Sequence, residues 1–237
     1  MRIVARFADM LNHSDETEFC HVYDETRTAL RITAGKDYAR GDQVFINYGK
    51  VRNSRLLRLY GFVIPNNPNN TYDLVLTNEF PLTPAAPLPL DVLRYLCIQR
   101  LDPEELSKVG IASTTASKPL SARNEEEVLK SFVDAFCGLL AGFAIPAADL
   151  EGSIKEGKYS GNAYAAAVVS LDEHSILQAA LEMTKNLLVG ITCVKCGTAD
   201  IGGKKCRRCR NAVYCSVACS KADWAEHKKV CKRVAGK

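Results

Sequence analysis

No apolar run in these 237 residues approaches the ~18 needed to cross a bilayer, so the sequence offers no candidate membrane span. A secretory leader is also lacking. The opening residues, Met1 to Asp9, carry charges at positions 2, 6 and 9 and contain no apolar core region. The expected address is therefore intracellular, in cytoplasm or nucleus, where thiols stay reduced. There is no fixed-period repeat and no low-complexity tract, which sets aside solenoid and compositionally disordered architectures. Large net charge is missing too: Lys and Arg total 31 against 27 Asp and Glu, or +4.

That small net charge hides an asymmetry. From Cys193 onward there are 12 Lys/Arg against 3 Asp/Glu, whereas the preceding residues hold 19 against 24. A basic terminal segment suggests nucleic acid, with Lys204, Lys205, Arg207, Arg208 and Arg210 as the candidate contacts. The same segment, however, holds seven of the ten cysteines. Seven thiolates around two Zn²⁺ carry a net −3, so much of the basic excess offsets anionic metal centres. Nucleic acid is not the expected partner. The hydrophobic fraction of 47% and charged fraction of 24% suit a chain with one sizeable core and a small module.

The cysteines have metal-ligand spacing. Cys193-x2-Cys196, Cys206-x2-Cys209, Cys215-x3-Cys219 and His227-x3-Cys231 are four closely spaced pairs, the number that two tetrahedral zinc ions require. A C-x2-C turn aims both sulfurs at one ion, and an i, i+4 pair shares a helix face. A disulfide framework is the alternative. Reduced surroundings and the His-x3-Cys pair favour metal.

Elsewhere the chain divides into three textures. Thr28–Thr33 and Gln43–Tyr48 are predicted strands, Asn53–Tyr60 a short helix, and Pro65-Asn-Asn-Pro-Asn-Asn70 a loop. Residues 90–190 are predicted helical. An apolar stripe from Leu90 to Leu101 ends at Pro103, and a long helix opens after Ser121 with glutamates in its first turns and stops before Pro146. Two further helices are expected around Gly161–Val169 and Asp172–Leu188. Cys97 and Cys137 are expected buried, and His21 and His174 at the surface or at caps. In the last segment, Ser216 and Ser220 both look like helix openings.

With Tyr214-Cys215, Asp223-Trp224 and all eight ligands in place, the terminal segment closely resembles the MYND zinc finger. The resemblance implies an interleaved pairing, with Cys193, Cys196, Cys215 and Cys219 on one zinc and Cys206, Cys209, His227 and Cys231 on the other. It also implies docking of short proline-containing peptides, with Trp224 part of the platform. Family members that bind such peptides commonly carry glutamine after the sixth cysteine; here the residue is Ser220.

A second resemblance lies near the start. Asn12-His13, then Gly41-Asp-Gln-Val-Phe-Ile-Asn-Tyr48-Gly49, then Leu59-Tyr60-Gly61-Phe62 resemble in order and spacing the C-terminal half of a SET domain. That is the fold of S-adenosylmethionine-dependent lysine methyltransferases, and the continuation through Pro65 looks most like the Rubisco large-subunit methyltransferase subgroup. The resemblance implies that Tyr48 is catalytic, that Asn12 and His13 bind cofactor, and that Tyr60 walls the lysine channel. The Gly-x-Gly segment of the SET N-terminal half does not occur in the sequence, so these residues alone are expected to bind S-adenosylmethionine weakly or not at all.

The expected fold is an α+β multidomain protein: a partial β-rich SET fold over 1–64, an all-helical substrate-binding-like domain over 65–190, and a two-zinc finger over 191–237. The function implied is methyl transfer to a protein lysine once the cofactor half is supplied. The alternative is a zinc-dependent adaptor that binds peptide motifs without catalysis.

Overall fold

The computed structural model describes residues 7–18, 21–75, 79–108 and 121–232; Arg2, Arg6, Arg233 and Lys237, counted above, lie outside them. The described residues form a mixed α and β protein. After a 3₁₀ turn at Ala8–Met10, β1 (Asn12–His13) pairs in parallel with β4 (Phe45–Ile46), Asn12 opposite Phe45 and His13 opposite Ile46. Between them, β2 (His21–Asp24) and β3 (Ala29–Ile32) form an antiparallel hairpin. Asp24 Oδ1 closes its turn by accepting from the Thr26 hydroxyl at 2.7 Å and the backbone N–H groups of Thr26 and Arg27 at 3.1 and 3.2 Å.

The strand expected over 43–48 is only two residues long. Asn47 Oδ1 accepts from Gly49 N–H at 2.8 Å, and Gly49 has φ +90°. This side-chain turn takes the backbone away from the ladder before Tyr48 can join it. Helix α1 (Asn53–Tyr60) follows and ends at Gly61, whose φ of +76° lets its N–H reach the carbonyls of Leu56 and Leu57 at 3.2 and 3.0 Å.

The loop over 65–70 has no regular element, as its composition predicts, yet Asn67 and Asn70 within it are buried. Asn67 Nδ2 donates to Val51 O at 2.8 Å, and Asn70 Oδ1 accepts from Asn53 N–H at 2.8 Å. Asn53 Nδ2 and Asn70 Nδ2 both donate to Asp172 Oδ2, at 2.9 and 2.6 Å. Each partner replaces the water that these amides lost on burial. The knot fastens the segment carrying α1 to a helix more than one hundred residues away in sequence.

That helix, α6 (Gly161–Ile191), is a single 31-residue element where two were expected. Asp172 reads locally as a helix opening. Nothing in Val169-Ser170-Leu171 interrupts a helix, however, and the Asp172 side chain turns outward to Asn53 and Asn70. The sequence reading also missed the hairpin β5 (Tyr72–Val75)/β6 (Glu79–Leu82) and helices α3 (Pro103–Lys108) and α5 (Ala147–Lys155). Pro103, expected to end a helix, does not act as a stop. It is the first residue of α3, where a missing N–H costs nothing.

The core lies between α2 (Leu90–Gln99), α4 (Ala122–Ala141), α6 and the β5/β6 hairpin. Ser121 caps α4, its Oγ accepting from Asn124 N–H at 3.1 Å. Phe132 and Phe136 stack at 5.6 Å on the buried face of α4, with Leu93, Val128, Leu129, Leu177 and Leu181 around them. Each such side chain contributes about 1.5–3 kcal/mol by leaving water. Cys97 is buried as expected, and burial with the neighbouring Glu125 pushes its thiol up to about 12. Cys137 is exposed instead, because it lies one residue (about 100°) round the helix from inward-facing Phe136. His174, expected at the surface, is buried: its ring stacks 3.9 Å from Phe143 and Nε2 lies 3.2 Å from Ile145 O. Among the described residues no helix is long and apolar enough to cross a membrane.

Candidate metal centres and an aromatic half-site

The segment after α6 has little apolar material from which to fold. A two-residue hairpin, β7 (Lys204–Lys205) with β8 (Val213–Tyr214), precedes α7 (Val217–Val230). Among the described residues there, Ala212, Val213 and Tyr214 are the ones buried besides cysteines. Gly203 is required by close approach, since a Cβ there would sit 2.6 Å from Val213 Cγ1 and 3.1 Å from Asp200 O. Two tight turns carry the C-x2-C pairs. Gly197, at φ +72°, donates to Cys193 O at 2.8 Å, and Arg210, at φ +58°, donates to Cys206 O at 2.9 Å.

Ser216 caps α7, its Oγ accepting from Cys219 N–H at 3.1 Å, so one helix opens here and none at Ser220. Cys215 and Cys219 therefore straddle the cap instead of sharing a helix face, and Cys231 follows the last helical residue. The two closing pairs converge through helix ends, which spacing alone did not reveal.

The structure brings the eight candidate ligands into two groups of four. Cys193, Cys196, Cys215 and Cys219 form one, and Cys206, Cys209, His227 and Cys231 the other, with donor atoms within 4.8 Å of one another in each. In the first group Cys196 and Cys219 each lie 3.6 Å from Cys215, sulfur to sulfur. In the second, Cys206 and Cys231 sulfurs are 3.9 Å apart, and His227 Nε2 lies 3.3 and 3.4 Å from Cys206 and Cys209. A tetrahedron with Zn–S of about 2.3 Å has sulfur–sulfur edges of about 3.8 Å, whereas a disulfide needs about 2.05 Å. Both groups fit a tetrahedral ion. Backbone N–H groups aimed at the Cys193 and Cys206 sulfurs, led by those of Cys215 and Cys209, hold both thiols down to about 6. The neighbouring sulfurs instead push Cys215 up to about 12, and burial with Cys206 pushes Cys231 up to about 11. A bound cation would favour the thiolate throughout each group.

Trp224 is not core filling. It is 45% exposed at the mouth of a cleft of about 400 Å³, on the same helix as His227, their rings 6.1 Å apart. Tyr214 backs this helix, donating its hydroxyl to Asp223 Oδ2 at 2.8 Å.

The N-terminal candidates meet in a second place. Tyr48 N–H donates to His13 Nδ1 at 3.1 Å, and the Tyr48 hydroxyl donates to Leu11 O at 2.8 Å. The Tyr48 ring lies 4.6 Å from Tyr60 and 5.1 Å from His13, and Phe62 extends the set 5.9 Å from His13. Burial, and then the neighbouring Tyr60, raise the Tyr48 hydroxyl above its ordinary value, keeping it a neutral donor. Asn12, the residue before His13, is exposed. A cleft of about 360 Å³ is lined by Tyr48, Tyr60, Ile46 and the β2/β3 hairpin. The roles of Leu11 O and Phe62 escaped the sequence reading; Phe62 stood within the quoted motif, whereas a backbone carbonyl leaves no sequence signal.

The donor set suits S-adenosylmethionine in part. Aromatic faces favour a sulfonium or methylammonium, and together these rings make one wall of a pocket.

Two stretches of the chain match known families. Residues 193–231 match the MYND finger family, and residues 69–177 match the Rubisco LSMT substrate-binding family. SET domain-containing protein 4 of Artemia parthenogenetica is 31% identical over 111 residues, covering 44% of this chain and 26% of that protein. N-lysine methyltransferase setd6 of Danio rerio is 35% identical over 75 residues, 31% of this chain and 16% of that protein. Human N-lysine methyltransferase SMYD2 is 48% identical over 42 residues, 18% of this chain and 10% of that protein. Among solved structures, the SET domain of LSMT bound to MeLysine and AdoHcy aligns with a TM-score of 0.68 at 21% identity, covering 78% of this chain and 50% of that one. This last likeness is one of fold. The chain spans about half of that structure and about a quarter or less of these curated relatives.

Proposed function

We propose that this chain carries the C-terminal part of a SET-class protein-lysine N-methyltransferase together with a zinc-held MYND docking module. On this view residues 1–64 supply the SET part, 65–190 the substrate-binding part and 191–237 the finger. The eight Cys and His residues hold two zinc ions in the interleaved pairing. The observation that carries the catalytic assignment is the convergence of Tyr48, Tyr60 and His13 beside Asn12, with the Tyr48 hydroxyl fixed on Leu11 O.

S-adenosylmethionine would supply a methyl group activated by its sulfonium. The chain's own part is alignment. The lysine must arrive as the neutral amine, and holding it in line at contact distance supplies much of the rate. Tyr48 would orient the amine through its hydroxyl, and Tyr60 and Phe62 would exclude water from the lysine stem. His13, accepting from the Tyr48 backbone, fixes the turn after β4 from which Tyr48 projects. Asn12 would hold the cofactor's polar edge.

Calorimetric titration tests the half-site reading. S-adenosylmethionine should bind residues 1–237 weakly or not at all, and should bind once the complementary half of a SET pocket is joined in frame. Micromolar binding to residues 1–237 alone contradicts it. In the joined protein, Tyr48→Phe should lower labelled methyl transfer to protein lysines by about 10²-fold or more; unchanged transfer removes Tyr48 from the site.

A second function rests on exposed Trp224: the finger docks a partner whether or not methyl transfer occurs. Trp224→Ala should abolish recovery of that partner while zinc content stays at two ions per chain. Unchanged recovery counts against docking through Trp224.

A further inference from the structure

The cleft at Trp224 has a charge pattern that the docking function leaves unexplained. Lys204 and Lys205 on β7, and Arg207 and Arg208 in the turn that follows, line it with exposed side chains. None of the four pairs with a carboxylate among the described residues. The finger's three acidic side chains are engaged elsewhere: Asp200 Oδ1 accepts from Gly202 N–H, Asp223 from the Tyr214 hydroxyl, and Glu226 pairs with Lys229 at 2.7 Å. The metal centre at the cleft offsets little. Three thiolates, a neutral imidazole and one Zn²⁺ carry −1 against these four cations. The other centre, with four thiolates, holds the larger negative charge and contributes no ligand to the cleft lining.

From this we infer that the cleft beside Trp224 selects a short acidic peptide segment bearing an apolar anchor. The inference rests on the docking function and adds the chemistry of the partner. Trp224 and Val217 provide an apolar seat for the anchor, and the basic rim stands beside it for flanking carboxylates. Ser220, at the floor of the same cleft, adds a small hydroxyl and no charge. Nucleic acid fits this surface less well. A strand needs a groove that follows its backbone with successive exposed aromatics for stacking. In this cleft of about 400 Å³ Trp224 is exposed, whereas Tyr214 is buried and His227 belongs to a ligand group.

Fluorescence anisotropy on the zinc-loaded full chain tests the inference. The probes are a ten-residue peptide with a Leu-Pro pair among four glutamates, its glutamine counterpart, and a ten-nucleotide oligothymidylate. The acidic peptide should bind about tenfold tighter than the glutamine peptide, and should weaken as salt rises from about 0.05 to 0.3 M. Lys204→Gln/Lys205→Gln should lose about five- to tenfold of the acidic-peptide affinity and little of the glutamine-peptide affinity. These changes leave the β7 backbone pairing intact, and metal analysis confirms the fold by two retained zinc ions. Equal affinity for both peptides, abolished by Trp224→Ala, overturns the charge selection and leaves docking standing. Acidic-peptide binding that survives Trp224→Ala overturns docking at this cleft. Oligothymidylate binding tighter than the acidic peptide makes nucleic acid the occupant.

Discussion

The helical body and the terminal finger reach an ordered fold by opposite means. The body buries fourteen mostly apolar residues in one cluster between α2, α4, α6 and the β5/β6 hairpin. Among the described residues the finger buries Ala212, Val213 and Tyr214 besides cysteines, and its centre is otherwise made of the Cys and His side chains of the two groups. In the body, ligand and fold are separable, because apolar burial orders the chain before any substrate arrives. In the finger they are the same event, since metal binding supplies the folding free energy. Function follows the division. Trp224 can stand exposed on a small helix because zinc, rather than its own burial, holds that helix in place.

Four perturbations sharpen this contrast, the largest first. Chelation of zinc, or Cys209→Ser, should unfold residues 193–232 and leave the α-helical body folded. Each structural zinc in finger peptides contributes about 10–16 kcal/mol, more than a module with three buried non-cysteine side chains can replace. Two thermal transitions before chelation, and only that of the body after it, is the expected calorimetric record. Phe136→Ala should do the reverse, destabilising the body by about 3–5 kcal/mol while zinc content stays at two ions. A parallel loss of zinc breaks the claim that the two regions are separately held.

Asn53→Ala removes the centre of the polar knot, leaves the Ile64 N–H and C=O without their Asn53 partner and takes one donor away from Asp172. Denaturant unfolding should show a loss of about 1–3 kcal/mol from these unpaired buried groups. The smallest effect is on pH dependence. Burial raises the Asp172 carboxyl above 3.8 despite the donors Asn53 and Asn70, so the folded state holds its proton longer than the unfolded one. This group should therefore cost stability as pH rises from 3.8 through its folded value. Glu105 acts in the opposite sense. The Arg123 guanidinium and the Ser121 hydroxyl hold its carboxyl down to about 2, so its contribution is present above 4.5 and lost as pH falls toward 2. Glu105→Gln should flatten the acid limb of the stability profile and Asp172→Asn the limb above it.

What the sequence disclosed follows the same division. The finger's ligands were legible because metal coordination is local and imposes fixed spacings. What spacing missed was that Cys215 and Cys231 lie just outside α7, which the Ser216 cap determines. In the body, apolar periodicity gave α2 and α4. It divided α6 because Asp172 has the local character of a cap, while its carboxylate answers to Asn53 and Asn70. His174 was misplaced for the same reason: a partner at Ile145 and a ring at Phe143 are tertiary facts. In the N-terminal cluster, Tyr48, Tyr60 and His13 were legible from their motif context, whereas their meeting around Tyr48, and the tie of its hydroxyl to Leu11 O, are tertiary facts.

Hydrogen–deuterium exchange with peptide resolution, run on the full chain before and after chelation, tests most directly that metal holds one region and apolar packing the other. Exchange should rise throughout residues 193–232 on chelation, while amides of α4 and of α6 up to Leu181 keep their protection. A protected finger without metal, or a body that opens together with it, would contradict the account.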